Sequence, residues 1–176
     1  MHPLALPLLL ALATAPTPPP APPAAPACEA AEHHQFDFWL GEWSVVGQKV
    51  GKVVGHSRIT SAVAGCVIVE QWTGLGGNTS QSLNLYNRNL GKWEQFWVDS
   101  QGNRLQLQGT LRDGAMVLET PPLPDGTFPR RHDRITWSVD ANGRVRQLWE
   151  VSVDGGEWAT QFDGLYTRVV GSGATE

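Results

Sequence analysis

Residues 36–43, with the sequence FDFWLGEW, decide where the fold of this chain begins. Three large aromatic residues, Phe36, Phe38 and Trp39, precede a Gly-x-Trp triplet that ends at Trp43. A sequence rich in β-branched and aromatic residues follows directly, which is typical of strands. We therefore expect the three aromatic residues to plug one end of a β-structure whose first strand begins near Trp43. Residues 29–40 also tolerate a short helix or 3-10 turn, with an irregular lead-in as the alternative.

After Trp43, runs that favour β-strands alternate with turn signals such as Asp-Gly, Asn-Gly and Gly-Gly, which suit hairpins. The ten runs cover 43–49, 52–63, 66–72, 80–87, 92–99, 104–112, 115–120, 131–139, 144–153 and 157–169. Loops of hairpin length imply antiparallel neighbours, and a meander with this many strands must close or split, since open edges promote aggregation. The sequence predicts an all-β fold, an antiparallel up-and-down β-barrel of about ten strands. A β-sandwich is the structural alternative.

Closure of such a barrel would bring Trp43 and Arg168 together, because the first and last strands become neighbours. The Arg168 guanidinium could then cover the Trp43 indole in a cation–π contact. We interpret this pair as a structural closure. The alternative is an exposed Arg168 in a fraying terminal strand.

The chain has 176 residues, and its beginning differs in composition from the rest. Residues 4–15 form a short apolar run, residues 16–26 are rich in Pro and Ala, and residues 25–27 (APA) resemble a signal-peptidase site. The sequence therefore predicts a signal peptide and Pro/Ala-rich linker at 1–27, a single β-barrel domain at 28–170 and a disordered tail at 171–176. The predicted location is secreted or periplasmic; the alternative is a disordered tail on a cytosolic protein.

Two cysteines, Cys28 and Cys66, are present. In an oxidising compartment they could form one disulfide that joins the lead-in to an early strand. A lipid anchor on Cys28, as the first mature residue, is a second interpretation, and two free thiols are a third.

The net charge of −4 and the lack of a basic patch make nucleic acid an unexpected partner. No later apolar run is long enough to predict a transmembrane span. Neither feature decides the oligomeric state.

Alternation along the runs gives one face that mixes aromatic residues with amides and a carboxylate. If that face points inward, it predicts a Trp-lined lumen for a small hydrophobic or amphipathic ligand. The predicted ligand-binding residues are Glu70, Trp72, Asn84, Tyr86, Gln95, Trp97, Gln147 and Trp149. In the last run, Trp158, Phe162 and Tyr166 share a face. The opposite faces, with Leu83 and Phe96 among others, could equally form the core. A mixed face that points inward could also be packed solid, with its amides satisfied by neighbours or buried water, which would give a structural or interaction barrel without a ligand.

No catalytic residue is predicted, since the chain has no Gly-x-Ser-x-Gly elbow. An enzyme on the same barrel, such as an isomerase, cyclase or hydrolase, remains an alternative. Its candidate acids and bases are Glu70, Asp99, Glu150 and Asp163. A continuous lumen with one convergent acid would favour that enzyme, a lumen with only amides a binding protein, and a filled lumen a structural barrel.

A metal site is not predicted either, because the chain lacks the His-x-His, His-Glu-x-x-His and Cys-x-x-Cys spacings of zinc ligands. His33, His34 and Asp37 could form only a loose cluster, and adjacent histidines beside a linker are more often solvated.

Residues 36–168 resemble a group of bacterial proteins of unknown function related to the calycins. The matching segments are FDFWLGEW at 36–43, Gly65-Cys66, Glu70-x-Trp72, Ser82-x-Asn84-x-Tyr86, Trp93-x-x-x-Trp97, RQLWE at 146–150 and FDGLYTR at 162–168. The resemblance implies a ten-stranded lipocalin- or nitrobindin-like barrel and no particular activity. Nitrobindin-like relatives bind haem through a His near the C-terminal end of the barrel, but this chain has no His after His132. We therefore expect no cofactor, with haem as the alternative.

Overall fold

The computed structural model of this chain describes residues 28–127 and 129–169. The signal peptide and linker predicted at 1–27 and the tail predicted at 171–176 lie outside the described residues. Two short 3-10 turns, Ala31–His34 and Asp37–Trp39, precede the first strand. They lie where the sequence predicted a short helix or 3-10 turn.

Ten strands form one closed antiparallel barrel in which each strand pairs with its sequence neighbours and β1 pairs with β10. The strands are β1 Gly41–Gly47, β2 Lys52–Ala62, β3 Val67–Gly74, β4 Thr79–Asn87, β5 Lys92–Asp99, β6 Arg104–Arg112, β7 Ala115–Glu119, β8 Arg131–Val139, β9 Val145–Val153 and β10 Ala159–Arg168. The prediction of an up-and-down barrel is confirmed, and the sandwich alternative is wrong. The observed strand ends lie within two residues of the predicted runs, because Gly-containing turns fix where each hairpin reverses.

The barrel has two different ends. At one end, which we call the closed end, lie the 3-10 turns and the loops at 63–66, 88–91, 113–114 and 140–144. At the other, the open end, lie the loops at 48–51, 75–78, 100–103 and 154–158 and the described part of 120–130. Antiparallel hairpins of even spacing place alternate loops at opposite ends.

The aromatic residues before β1 fill the closed end. Phe36 and Trp39 are fully buried, and their rings stack with centroids 5.0 Å apart. Phe36 also meets Trp93 and Trp137 edge-on, at 5.6 and 5.1 Å. Phe38 is half-buried beside them, with its ring 5.4 Å from that of Phe36. The predicted plug is present, with Phe36 and Trp39 as its buried part.

Trp43 and Arg168 face each other in the β1–β10 register, and the Arg168 guanidinium carbon lies 4.4 Å from the Trp43 ring centroid. The same guanidinium donates to the Leu40 carbonyl at 2.9 Å. Trp43 Nε1 donates to the Trp39 carbonyl at 2.9 Å. At Gly41, φ is +138° and a Cβ would collide with the Arg168 guanidinium, so this position requires glycine. The FDFWLGEW segment and Arg168 thus form one structural unit that closes the barrel.

A disulfide joins Cys28 to Cys66. It connects the lead-in to the β2–β3 loop at the closed end. The bond uses both sulfur atoms and leaves neither a free thiol nor a Cys28 sulfur for a lipid in this structure.

Candidate functional site

The mixed face of the strands points into the barrel. Glu70, Asn84 and Gln95 are buried inside, while Leu83 and Phe96 are about half exposed on the outer surface. The interpretation in which the purely apolar faces form the core is therefore wrong. A barrel whose interior carries amides and a carboxylate must satisfy them with hydrogen bonds or with a ligand.

A cavity of about 220 Å³ opens into this interior at the open end. Its lining comes from β3, β4, β5, β9, β10 and the β3–β4 loop, and consists of Glu70, Trp72, Asn78, Ser80, Trp97, Gln147, Trp149, Gln161, Phe162 and Tyr166. The volume lies below the range of roughly 300–1,000 Å³ that is typical of sites for drug-sized ligands. The cavity thus suits a small molecule or one end of a larger one.

Two aromatic pairs form the walls of the cavity. Trp72 meets Phe162 edge-on at 5.9 Å, and Trp97 meets Trp149 edge-on at 5.8 Å. All four side chains are only partly buried. Edge-to-face packing holds such rings in defined orientations while leaving their other faces free for a ligand.

Trp149 is oriented by an ion pair between the buried Asp133 and the half-exposed Arg131. Its Nε1 donates to Asp133 Oδ1 at 2.8 Å. Asp133 in turn accepts two hydrogen bonds from the Arg131 guanidinium, at 2.9 and 2.7 Å. A charge-assisted bidentate pair has a fixed geometry, so Asp133 holds the indole in place and is itself neutralised.

Trp72 lies directly over Gly55 of the neighbouring strand. A Cβ at Gly55 would come within 2.5 Å of Trp72 Cζ2 and 2.7 Å of the Thr73 carbonyl oxygen. No side chain fits there without moving the ring. The glycine is therefore what allows this indole to lie flat against the barrel wall.

Glu70 is the charged residue of the cavity. It is 5 % exposed, and each of its carboxylate oxygens accepts one hydroxyl, from Ser57 and from Ser82, both at 3.1 Å. Burial raises the pKa of Glu70 from 4.5 to about 7, and the two serine hydrogen bonds oppose that rise. Glu70 thus changes its protonation state near neutral pH.

A chain of buried hydrogen bonds leads to Glu70 from the middle of the barrel. Gln95 Nε2 donates to Asn84 Oδ1 at 2.8 Å, and Asn84 Nδ2 donates to Ser82 Oγ at 3.0 Å and to the Ile68 carbonyl at 3.1 Å. Ser82 then donates to Glu70. Every donor on this path points towards Glu70, so the network favours a negative charge there.

Tyr166 crosses the bottom of the cavity from β10. Its hydroxyl donates to Gln147 Oε1 at 2.5 Å. Burial and the nearby Glu70 carboxylate raise the pKa of Tyr166 well above its usual value. Tyr166 is therefore a neutral hydrogen-bonding group at the pH at which Glu70 titrates.

Five of the eight predicted ligand-binding residues line the cavity: Glu70, Trp72, Trp97, Gln147 and Trp149. Asn84 and Gln95 lie deeper, in the network that supports Glu70. Tyr86 lies towards the closed end, where its ring is 5.3 Å from His33 and 6.3 Å from Trp93. The structure thus brings five residues together at one site and separates the other three from it.

Several residues of the site were not among those predicted. Strand alternation places Ser80 and Ser82 on the face of Asn84, and it places Asp133 on the face of Ile135 and Trp137. This alternation is visible in the sequence, but small or charged residues such as these occur equally on the outward face of a strand, so their type did not single them out. Asn78 lies in the β3–β4 loop and Gln161 at the register shift of β10, where no sequence signal indicates an inward position.

Among the four candidate acids, only Glu70 faces the cavity. Asp99 is the last residue of β5 and accepts from Asn103 Nδ2 in the following turn at 2.8 Å. Glu150 pairs with Arg134 at 2.9 Å, and Asp163 pairs with Arg146 at 2.8 Å. These three carboxylates serve turn and strand structure.

The residues that the structure describes contain no group of three or more His, Cys, Asp or Glu that could hold a metal ion. Of the side chains that hold haem iron in proteins, the lining of the cavity offers a tyrosine, Tyr166, but no histidine, cysteine or methionine. Within the described ranges, no helix is long and apolar enough to cross a membrane.

Comparison with models of known protein families gives no match for this chain, and a search of curated proteins finds no similar sequence.

Proposed function

We propose that this protein is an exported lipocalin-like barrel, of the calycin type that its sequence resembles, and that it binds a small hydrophobic or amphipathic molecule in the open-end cavity. The observation that carries the proposal is the cavity itself, with aromatic walls and one buried carboxylate, in a barrel that is plugged at its other end. Pockets that are mostly apolar with a few convergent polar groups are typical of small-molecule sites.

Export is supported by the covalent structure. Disulfides persist in oxidising compartments and are rare in the cytosol, and Cys28 and Cys66 are joined. The apolar run and Pro/Ala tract that precede Cys28 are consistent with a secreted or periplasmic protein.

An enzyme on the same barrel is the second candidate, and Glu70 favours it. The cavity contains one convergent acid whose pKa is raised to about 7 by burial, which is a suitable value for a general acid or base at neutral pH. In this alternative Glu70 would move a proton on the bound molecule. Ser57 and Ser82 would hold the carboxylate in position.

Native mass spectrometry of the purified protein, followed by extraction and identification of the bound molecule, tests the proposal. We expect one small molecule per barrel, recovered unchanged after incubation, and loss of that molecule in Trp97→Ala. The variant Val98→Ala is the matched control, because Val98 is the neighbouring residue on the outer face. Conversion of the molecule by the protein, abolished in Glu70→Gln, would favour the enzyme. A protein that carries nothing and shows unchanged Trp fluorescence with a panel of lipids and small aromatic compounds would contradict both.

A further inference from the structure

The cavity combines one charge with several aromatic faces. Among its ten lining residues, Glu70 is the one with an acidic side chain, and none is a Lys, Arg or His. Glu70 takes part in none of the ion pairs found within residues 28–127 and 129–169. The buried carboxylate thus has hydrogen-bond donors but no counter-ion from the described part of the chain.

The serines satisfy only part of the carboxylate. An ionised carboxylate has about four acceptor positions, and Ser57 and Ser82 use one on each oxygen. Removal of a charge from water costs free energy unless an opposite charge lies beside it. A buried carboxylate without a cation therefore keeps the full cost of its desolvation. A cation brought by a ligand would supply the missing partner.

The walls around this carboxylate fit the same kind of group. Trp72, Trp97 and Trp149 all border the cavity, and Trp149 is fixed by its bond to Asp133. Aromatic rings attract a cation at their faces, with Trp the best of them, and cages of such rings are the usual sites for organic ammonium ions. In contrast, an anionic ligand would be repelled by Glu70, and a neutral one would leave the carboxylate without its counter-ion.

We infer that the open-end cavity recognises the ammonium group of a small organic amine, with Glu70 as its counter-ion and the three tryptophans as its aromatic wall. This inference rests on the proposed function and specifies the class of ligand. The ammonium ion would lie between Glu70 and the rings, and the apolar body of the amine would extend towards Trp72 and Phe162, which meet edge-on in the lining. Gln147 Oε1 already accepts from the Tyr166 hydroxyl, and Glu70 is the one acceptor of the lining that can carry a negative charge at neutral pH.

Isothermal titration calorimetry with matched probes tests this inference. The probes are hexylamine and 2-phenylethylamine, each compared with the alcohol and the carboxylate of the same carbon skeleton. Alkylamines resemble the lysine side chain and are protonated at about pH 8, where Glu70 is mostly ionised. We expect each amine to bind at least about tenfold more tightly than its alcohol, and the carboxylate to bind most weakly.

Two variants separate the carboxylate from the rest of the site. Glu70→Gln keeps the shape and can still accept from the serines, so we expect it to weaken amine binding about tenfold or more and alcohol binding hardly at all. Glu42→Gln is the matched control, because Glu42 is an exposed carboxylate that lies 3.7 Å from Arg58 outside the barrel. If Glu70→Gln does not fold, Trp97→Leu replaces it: loss of the ring face should weaken amine binding more than alcohol binding.

Amines that bind no better than their alcohols, or variants that weaken both probes equally, would overturn the ammonium inference while leaving a cavity that binds small molecules. If no probe of any charge binds and Trp fluorescence does not change, both the proposed function and the ammonium inference are wrong.

Discussion

Both ends of this barrel are rich in aromatic residues, but these residues fill the core at the closed end and line a cavity at the open end. Four of the eight tryptophans, Trp39, Trp43, Trp93 and Trp137, are at most 2 % exposed and belong to the core cluster that contains Phe36 at the closed end. Three others, Trp72, Trp97 and Trp149, are partly exposed and surround a cavity at the open end. Aromatic content therefore does not by itself indicate a ligand site. The buried polar groups distinguish the two ends, because among the described residues the closed end has no buried carboxylate comparable to Glu70.

Removal of one tryptophan from each end should give the largest contrast. For Trp39→Ala we expect a loss of about 3–5 kcal/mol in the free energy of unfolding, the usual cost of deleting a fully buried aromatic side chain. For Trp97→Ala we expect a loss of about 1–2 kcal/mol, because its side chain is only partly buried. Urea denaturation followed by far-UV circular dichroism measures both. Equal losses would mean that the two ends are packed alike.

The second largest effect is expected in the pH dependence of stability, which Glu70 at the open end should control. The pKa of Glu70 is about 7 in the folded chain against 4.5 for an ordinary Glu, so between these values the folded state binds more protons than the unfolded state. Stability contributed by neutral Glu70 is thus complete below pH 4.5 and is lost as the pH rises through 7. The Glu70→Gln variant should not lose stability over this pH range in the same way, because a glutamine side chain does not titrate.

Relative to wild type, Glu70→Gln should therefore gain about 3 kcal/mol between about pH 4 and about pH 8, the equivalent of a pKa change of this size. Urea denaturation of both proteins over this range measures the difference. Glu42→Gln serves as the control, and its difference from wild type should stay small because Glu42 is exposed. A constant difference for Glu70→Gln would contradict the account of a buried, unpaired carboxylate.

The smallest effect is expected at the seam of the closed end. Arg168→Ala removes the cation–π contact with Trp43 and the hydrogen bond to the Leu40 carbonyl, at a cost of about 1–2 kcal/mol. Arg58→Ala, which breaks only an exposed pair at 3.7 Å, should cost about 0.5 kcal/mol or less. Thermal unfolding of the two variants compares them. A loss for Arg58→Ala as large as that for Arg168→Ala would show that the seam contributes nothing specific.

The fold could be predicted from the sequence because its signals are local. Turn residues marked the hairpins, and an even number of sequential antiparallel strands brings the first beside the last, so that Trp43 meets Arg168. The cavity was harder to predict. The alternation of side chains along a strand shows which of them point inward, but it does not show which end of the barrel is filled by the aromatic plug. Tyr86 and Trp97 carry the same kind of signal, yet Tyr86 packs against His33 at the closed end.

Trp158 shows a second limit of alternation. The sequence placed it on the face of Phe162 and Tyr166, but a register shift between Thr160 and Phe162 reverses the faces. As a result Trp158 is 41 % exposed, with the Arg134 guanidinium carbon 4.1 Å from its ring centroid. A β-bulge of this kind adds one residue to a strand and cannot be recognised from side-chain type alone.

The most direct measurement of the difference between the two ends is a titration followed by the indole N–H signals in a two-dimensional ¹H–¹⁵N NMR spectrum. Its probe is 2-phenylethylamine at about pH 8, where both the amine and Glu70 are charged. The account predicts that the signals of Trp72, Trp97 and Trp149 shift on binding, while those of the four closed-end tryptophans and of Trp158 do not. Shifts centred on Trp39 and Trp137, or no shift of any open-end signal, would contradict it.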